Sequence, residues 1–456
     1  MGVQTALRKL NKQTIIFVVM ALMFNALTML SSPSVEANTG PDVEVESAIL
    51  IEAETGKILF DKNLDEPLPS ASMSKMMTEY LVLEAISNGD LDWDTTVTIS
   101  NEAYFHGTLP TSSVVFLNAG DEHTIEQLYT AMAVYSGNDA TVALAEAVAG
   151  SEAQFVQLMN DKAEELGMTN AHFVNASGLP NDMLGDNMPS GTQADENLMS
   201  ARDTAILARA LLNDYPEVLR FSSIPEGDFV HNNGNTIHMI NWNWMLPGNP
   251  QAEARAHSYP GIDGLKTGYT SAAGNCFTGT AERDGMRLIS VVMGADTRDD
   301  RFRETSKLLD YGFNFFEFKD LASAGDIIEG TETLPVAKGK ETEVYVELDS
   351  DIRTVVHKDE ADLYSVVYEE DNEHLDEEGN ILAPVEEGEI VGHVRLQYDG
   401  ERPDTFIQSD EAEKVALVAQ HGVEEAGWIR LTFRSLTGFL GGVWGSAVEG
   451  IKGWFS

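Results

Sequence analysis

The chain has 456 residues, too many for one ordinary hydrophobic core, so two or three domains are expected. Its 74 acidic and 29 basic residues give a formal charge of -45, which excludes nucleic acid as a partner of the body; the dense carboxylate shell reads as solubility or as tolerance of concentrated salt. A single cysteine, Cys276, excludes an intrachain disulfide and any multi-cysteine metal site, and the ten histidines form no HExxH pair, which disfavours a zinc peptidase.

Residues 1–37 read as an export signal. Arg8, Lys9 and Lys12 precede an apolar run from Thr14 to Leu30, and Val35-Glu36-Ala37 offers a cleavage site after Ala37. An uncleaved anchor is the alternative, and either way the body is expected outside the cytoplasm. From about residue 46 the pattern is mixed α and β. Ala48–Glu52 and Lys57–Phe60 flank a Glu54-Thr55-Gly56 turn and predict a hairpin. Helical spacing predicts helices over 72–87, 124–149 and 152–166. A second hairpin is expected from Asn275–Ala281 and Met286–Gly294 around Arg283-Asp284-Gly285, followed by a helix over 301–316. Cys276 falls in that hairpin and reads as a buried core thiol. Strands at both ends of the segment with helices between them predict an α+β fold whose sheet is closed late in the chain.

Near 325–425 short β-branched runs (Glu343–Leu348, Leu363–Tyr368, Ile390–Leu396) alternate with acidic turns, which predicts a small all-β domain. The acidic stretch 369–378 reads as a solvated loop. From Trp428 to Phe455, apolar Ile429, Phe433, Leu436, Leu440, Val443, Trp444, Ala447, Ile451 and Trp454 recur at helical spacing, with Arg430, Arg434 and Lys452 against the lone acid Glu449. That is an amphipathic helix too short in its uncharged part to span a bilayer, and its basic excess suits an anionic membrane surface. The expected division is 1–37 signal, 38–322 catalytic domain, 323–425 β domain and 426–456 anchoring helix.

Three short elements carry the chemistry. In Ser72-Met73-Ser74-Lys75 the serine and lysine stand three apart on a helix, so the amine reaches the hydroxyl. Lysine is a base only when neutral, and burial beside a second cation such as Lys266 favours that form. Ser136-Gly137-Asn138 breaks a helical run and presents two short polar side chains. Lys266-Thr267-Gly268 reads as an edge strand, with Gly268 permitting close approach of a ligand and Lys266 and Thr267 facing a carboxylate. Taken singly, the three read as a capped helix, a helix-ending loop and a strand.

Together, and in this order, they resemble the S-x-x-K, S-x-N and K-T-G elements of the serine penicillin-recognising enzymes. Pro69–Thr78, Tyr135–Ala140, Asn175–Pro180 and Asp263–Thr270 extend the likeness to the low-molecular-mass D-alanyl-D-alanine carboxypeptidases, serine peptidase family S11. The resemblance spans essentially the whole chain. It implies a penicillin-binding/β-lactamase-like catalytic domain that removes the terminal D-alanine from peptidoglycan stem pentapeptides, with β-lactams as inhibitors, no metal and no organic cofactor. It implies Ser72 as nucleophile, Lys75 as base, Ser136 as proton shuttle and Asn138 as holder of Lys75 and of the substrate amide. Lys266 would sustain a positive field, and Thr267 with Arg301, or alternatively Arg298, would bind the terminal carboxylate. Backbone N–H groups of Ser72 and Tyr269 would form the oxyanion hole. It also implies a place on the outer face of the cytoplasmic membrane, held by the C-terminal helix. A β-lactamase and a non-catalytic β-lactam-binding envelope protein are the rival readings. Against the first, the middle element is S-G-N and no deacylating glutamate can be placed; against the second, nucleophile and base are intact.

Overall fold

Ser47–Glu52 (β1) is buried along its whole length and carries the unbroken apolar run Ala48–Ile51 because both its faces are covered, and this decides the architecture. Ile49 and Ile51 pack into one core with Met73, Met76, Leu207 and Val291, while Ala48 and Leu50 pack into another with Leu288, Phe302 and Leu309. The computed structural model describes residues 40–369, 375–376, 379–408 and 414–431. The export-signal reading, most of the acidic stretch 369–378 and the tail from 432 onward lie outside the described residues. Among the described residues, no helix is long and apolar enough to cross a membrane.

β1 pairs with Ile58–Lys62 (β2) and, across the length of the chain, with Met286–Ala295 (β5). With Ile262–Thr270 (β3) and Gly274–Arg283 (β4) they form one five-stranded antiparallel sheet in the order β2-β1-β5-β4-β3. The late closure and both hairpins stand as expected, and the β3 edge position matches the strand expected at Lys266. The β4–β5 turn places Asp284 at φ 51 and Gly285 at φ 80, the two left-handed residues that a tight hairpin turn requires.

One face of the sheet is covered by Arg298–Phe315 (α6), which starts three residues before the expected helix because Thr297 and Asp300 close a capping box. The other face carries Lys75–Ser87 (α1), buried nearly all round, and Ala201–Asp214 (α5). Ile125–Tyr135 (α2), Asn138–Ala149 (α3) and Glu152–Glu165 (α4) pack outside α1. The helix expected over 124–149 is two helices, separated where Ser136 takes φ 60 and Gly137 leaves helical geometry.

The C-terminal part is all β. Phe316–Ala322 (β6) pairs with Ile352–His357 (β9). Thr333–Ala337 (β7), Glu343–Leu348 (β8), Tyr364–Glu369 (β10), Ile381–Leu382 (β11), Ile390–Tyr398 (β12) and Lys414–Ala419 (β13) form a sheet in the order β10-β12-β13-β8-β7-β11. Val344, Val346, Val394 and Leu417 make its core. Residues 404–408 stitch this part to the first. Ile58 N–H donates to Thr405 O, Ile407 N–H to Gly56 O, and Lys57 Nζ lies 2.5 Å from Asp404 and 2.7 Å from Tyr364 Oη. Burial lowers the Lys57 pKa while Asp404 opposes that shift.

Candidate active site

The nucleophile turn is not the first turn of the helix. Ala71–Ser74 forms a 3-10 turn and α1 begins at Lys75, so Ser72 stands just ahead of the helix. Ala71 adopts φ 47, an uncommon conformation for a residue with a side chain, held there by its neighbours. Two glycines let those neighbours come close. A Cβ on Gly268 would lie 2.9 Å from Ser70 O and 3.2 Å from Met73 Cγ, and one on Gly178 would lie 1.9 Å from Ala71 O. Gly268 therefore serves the approach of the nucleophile turn to the edge strand, not only the approach of a ligand.

α1 is buried nearly all round, and the Lys75 side chain at its start is fully buried. Its Nζ lies 2.6 Å from Asn138 Oδ1, 2.6 Å from Ser177 O and 3.0 Å from Ser72 Oγ. Burial, then the charge of Lys266, push the Lys75 pKa well below that of a free lysine; Glu79, Asp139 and Glu152 pull the other way. A neutral amine has two N–H groups and one lone pair. The two carbonyl-type oxygens can only accept, so they take both N–H groups and leave the lone pair for the Ser72 hydroxyl proton. This hydrogen-bond pattern is that of a general base poised on a serine.

The other elements converge on this pair. Asn138 opens α3, its Nδ2 donating to Ser112 Oγ at 2.6 Å and its backbone N–H to Ser113 O. Next to it, buried Asp139 accepts the N–H groups of Val115 and Leu117, fixing the 112–117 loop over the site. Ser136 is buried, and its Oγ has no hydrogen-bond partner. Lys266 and Thr267 are buried on β3, whereas the Tyr269 side chain is 61 % exposed. Burial lowers the Lys266 pKa, opposed by Glu79. Arg301 reaches β3 from α6: its Nη1 donates to Gly268 O at 3.2 Å and to Cys276 O at 3.4 Å, and its buried Nε–H has no partner. Arg298 instead lies over the Trp242 and Trp244 rings. Cys276 is buried, as expected.

Three contributors went unassigned in the sequence. Ser177 supplies a carbonyl to Lys75, and Asn175 Oδ1 holds that loop by accepting from Gly178 N–H at 2.7 Å. Glu79, one turn beyond Lys75, is buried and its pKa is raised by burial, against the pull of Lys266 and Lys75. Glu152 is buried, accepts Ala176 N–H at 2.9 Å, and is raised to about 7, first by burial. The Asn175–Pro180 resemblance pointed to the first; the acids gave no signal, because a charge on a helix is usually a solvated one.

The family described as D-alanyl-D-alanine carboxypeptidase matches residues 34–297, more than half of the chain. The chain belongs to this family. Residues 316–425 match the C-terminal domain of penicillin-binding protein 5, which begins at β6. A relative in Bacillus subtilis, D-alanyl-D-alanine carboxypeptidase DacF, is 35 % identical over 393 residues, covering 86 % of this chain and 89 % of its own. The crystal structure of PBP3 from Streptococcus pneumoniae, a peptidoglycan synthesis regulatory factor, superposes with a TM-score of 0.69 at 36 % identity, covering 84 % of this chain and 100 % of that one. Penicillin-binding protein D2 from Listeria monocytogenes, solved in its cefotaxime-bound form, is 33 % identical with a TM-score of 0.50, covering 60 % and 99 %. The S11 family membership and the α+β catalytic part with an all-β C-terminal part thus stand as the sequence led us to expect.

Proposed function

We propose that this family member is a serine-type D-alanyl-D-alanine carboxypeptidase that removes the terminal D-alanine from peptidoglycan stem pentapeptides through a Ser72 acyl-enzyme. The observation that carries the reading is the Lys75 amine, buried, held by the Asn138 and Ser177 oxygens and 3.0 Å from Ser72 Oγ. Lys75 takes the Ser72 proton as Oγ attacks the penultimate D-alanine carbonyl, and the tetrahedral adduct collapses to the Ser72 ester as its C–N bond breaks and D-alanine leaves. Ser136, whose hydroxyl is otherwise unpartnered, passes the proton to the leaving amine. Backbone N–H groups of Ser72 and Tyr269 receive the oxyanion. Thr267 and Arg301 take the substrate carboxylate, and Lys266 supplies positive potential beside them. Water then hydrolyses the ester. β-Lactams acylate the same serine, a reading supported by the cefotaxime-bound neighbour.

The export signal, the peripheral seat on the outer face of the membrane and a part in cell-wall and cell-shape control belong to the same proposal, supported by the charge and hydropathy patterns at the two ends. The test is D-alanine release from a stem pentapeptide by the purified full chain: the parent releases it and Ser72→Ala does not. Release by the alanine variant at the parent rate overturns the reading.

A further inference from the structure

Asp121, His123 and His231 come from two segments far apart in sequence, and each offers one ligand atom within 4.8 Å of the others. His123 lies in the three-residue strand Glu122–Thr124 that leads into α2, and His231 follows the strand Glu226–Val230 of a hairpin paired with Thr236–Ile240. His123 is 2 % exposed and His231 6 %. Neither ring nitrogen of His123 has a hydrogen-bond partner, and neither does His231 Nδ1. Gln127 borders His123 and favours its protonated form without reaching hydrogen-bond geometry. Such orphaned polar atoms are rare in a protein interior and call for an explanation.

The surroundings suit a cation ligated by imidazole. Phe229 walls the cluster, its ring 4.9 Å from His123 and 5.1 Å from His231. Asp121, half-buried, opens the third side to solvent, and Asn118 Nδ2 donates to its Oδ2 at 2.9 Å, orienting the carboxylate. A second cluster is formed by Glu102, His106 and Glu152, whose Glu152 is already tied through Ala176 N–H to the loop that holds Lys75.

We propose that Asp121, His123 and His231 form a structural site for a borderline divalent transition metal of the zinc class, clamping the 226–240 hairpin to the strand that opens α2. Two imidazoles, one carboxylate and one water make a four-coordinate set for such an ion, whereas calcium and magnesium need an oxygen-rich shell that is missing here. Zinc–nitrogen bonds of about 2.0–2.1 Å place ligand atoms about 3.3 Å from one another, so the three side chains draw together when the ion binds. The site lies at the N-terminal end of α2, with Ser136 at the other end about 16 Å away, so the metal takes no part in acyl transfer.

The experiment titrates chelator-treated full-length protein with ZnCl2 by calorimetry, follows its thermal midpoint, and uses Co2+ as a spectroscopic substitute. One equivalent of zinc binds, the midpoint rises with free zinc, and Co2+ gives the d–d bands of a four-coordinate site. His123→Phe and His231→Phe each lose that equivalent, and Asn118→Ala weakens it roughly 10–100-fold. Labelling by a fluorescent penicillin reports that the variants are folded; if a phenylalanine variant fails to label, the glutamine variant at the same position takes its place. His238→Gln controls for the exposed His238, which lies 3.0 Å from Glu226 and 2.9 Å from Asp228. The proposal is overturned if zinc does not bind the parent, if the equivalent survives in folded His123 and His231 variants, or if it is lost with His238→Gln.

Discussion

The two parts of the chain treat charge in opposite ways. The catalytic part buries Lys75, Glu79, Asp139, Glu152, Lys266, Arg301 and Glu304. Among the described residues beyond 322, the buried polar side chains are Thr331, Thr354 and His357, and charge sits in exposed pairs such as Lys414 with Glu369. Burying an ion costs several kcal/mol unless partners compensate, so a domain that only needs to fold keeps its ions in water. The proposed function accounts for that cost at Lys75, because desolvation lowers its pKa and favours the neutral amine that a base needs. Burial alone does not single out the site, since Glu52, Lys57, Lys162 and Asp203 are also buried; what sets Lys75 and Lys266 apart is that burial and a second cation act on them together, whereas the β part buries no Asp, Glu, Lys or Arg among its described residues.

Substitutions can break or sharpen that contrast. Lys75→Arg keeps a long basic side chain but cannot give up its proton, so acylation by penicillin falls by about 10²–10⁴-fold, read with a labelled β-lactam. In the β part, Leu417→Ala empties a fully buried position and costs about 2–5 kcal/mol in denaturant unfolding, yet turnover of a short D-alanyl-D-alanine peptide stays at the parent value. A matching loss of turnover would show that the β sheet shapes the site. Glu152→Gln keeps an acceptor for Ala176 N–H and removes a titration. With its folded pKa raised from 4.5 to about 7, the carboxyl of the unfolded chain ionises first as pH rises. The parent therefore loses stability relative to the variant between about pH 4.5 and 7, by about 3 kcal/mol in all, and the gap is level above that. A gap that does not change with pH would place Glu152 in contact with solvent. The smallest effect belongs to Lys414→Ala, whose unfolding midpoint stays within experimental scatter of the parent's because the pair is exposed.

Much of this was legible in the sequence, for reasons that differ by element. The β4–β5 hairpin was visible because Asp284-Gly285 supplies both left-handed residues between two apolar runs. Ser72, Lys75 and Lys266 were visible because their spacing is local or belongs to a known set of motifs. The break at Ser136-Gly137 was marked by the motif but overridden in the helical spacing by helix-forming residues on both sides; there Ser136 takes φ 60 as the Ser136 and Gly137 N–H groups close on Ala131 O. The 3-10 turn ahead of Lys75 was hidden because its shape is imposed by β3 and Gly178 pressing on Ala71, contacts from far along the chain. Glu79 and Glu152 could not be read at all, since nothing local distinguishes a buried glutamate from a solvated one.

The claim at the centre is that burial turns Lys75 into the base that activates Ser72. The most direct measurement is the pH dependence of penicillin acylation of the full chain, with intact mass giving the rate and peptide mapping giving the modified residue. The account predicts a single adduct on Ser72, formed at a rate that rises with pH through an apparent pKa well below the value of about 10.4 for free lysine. An adduct on Ser136, or a rate that climbs only as pH approaches that of free lysine, would contradict it.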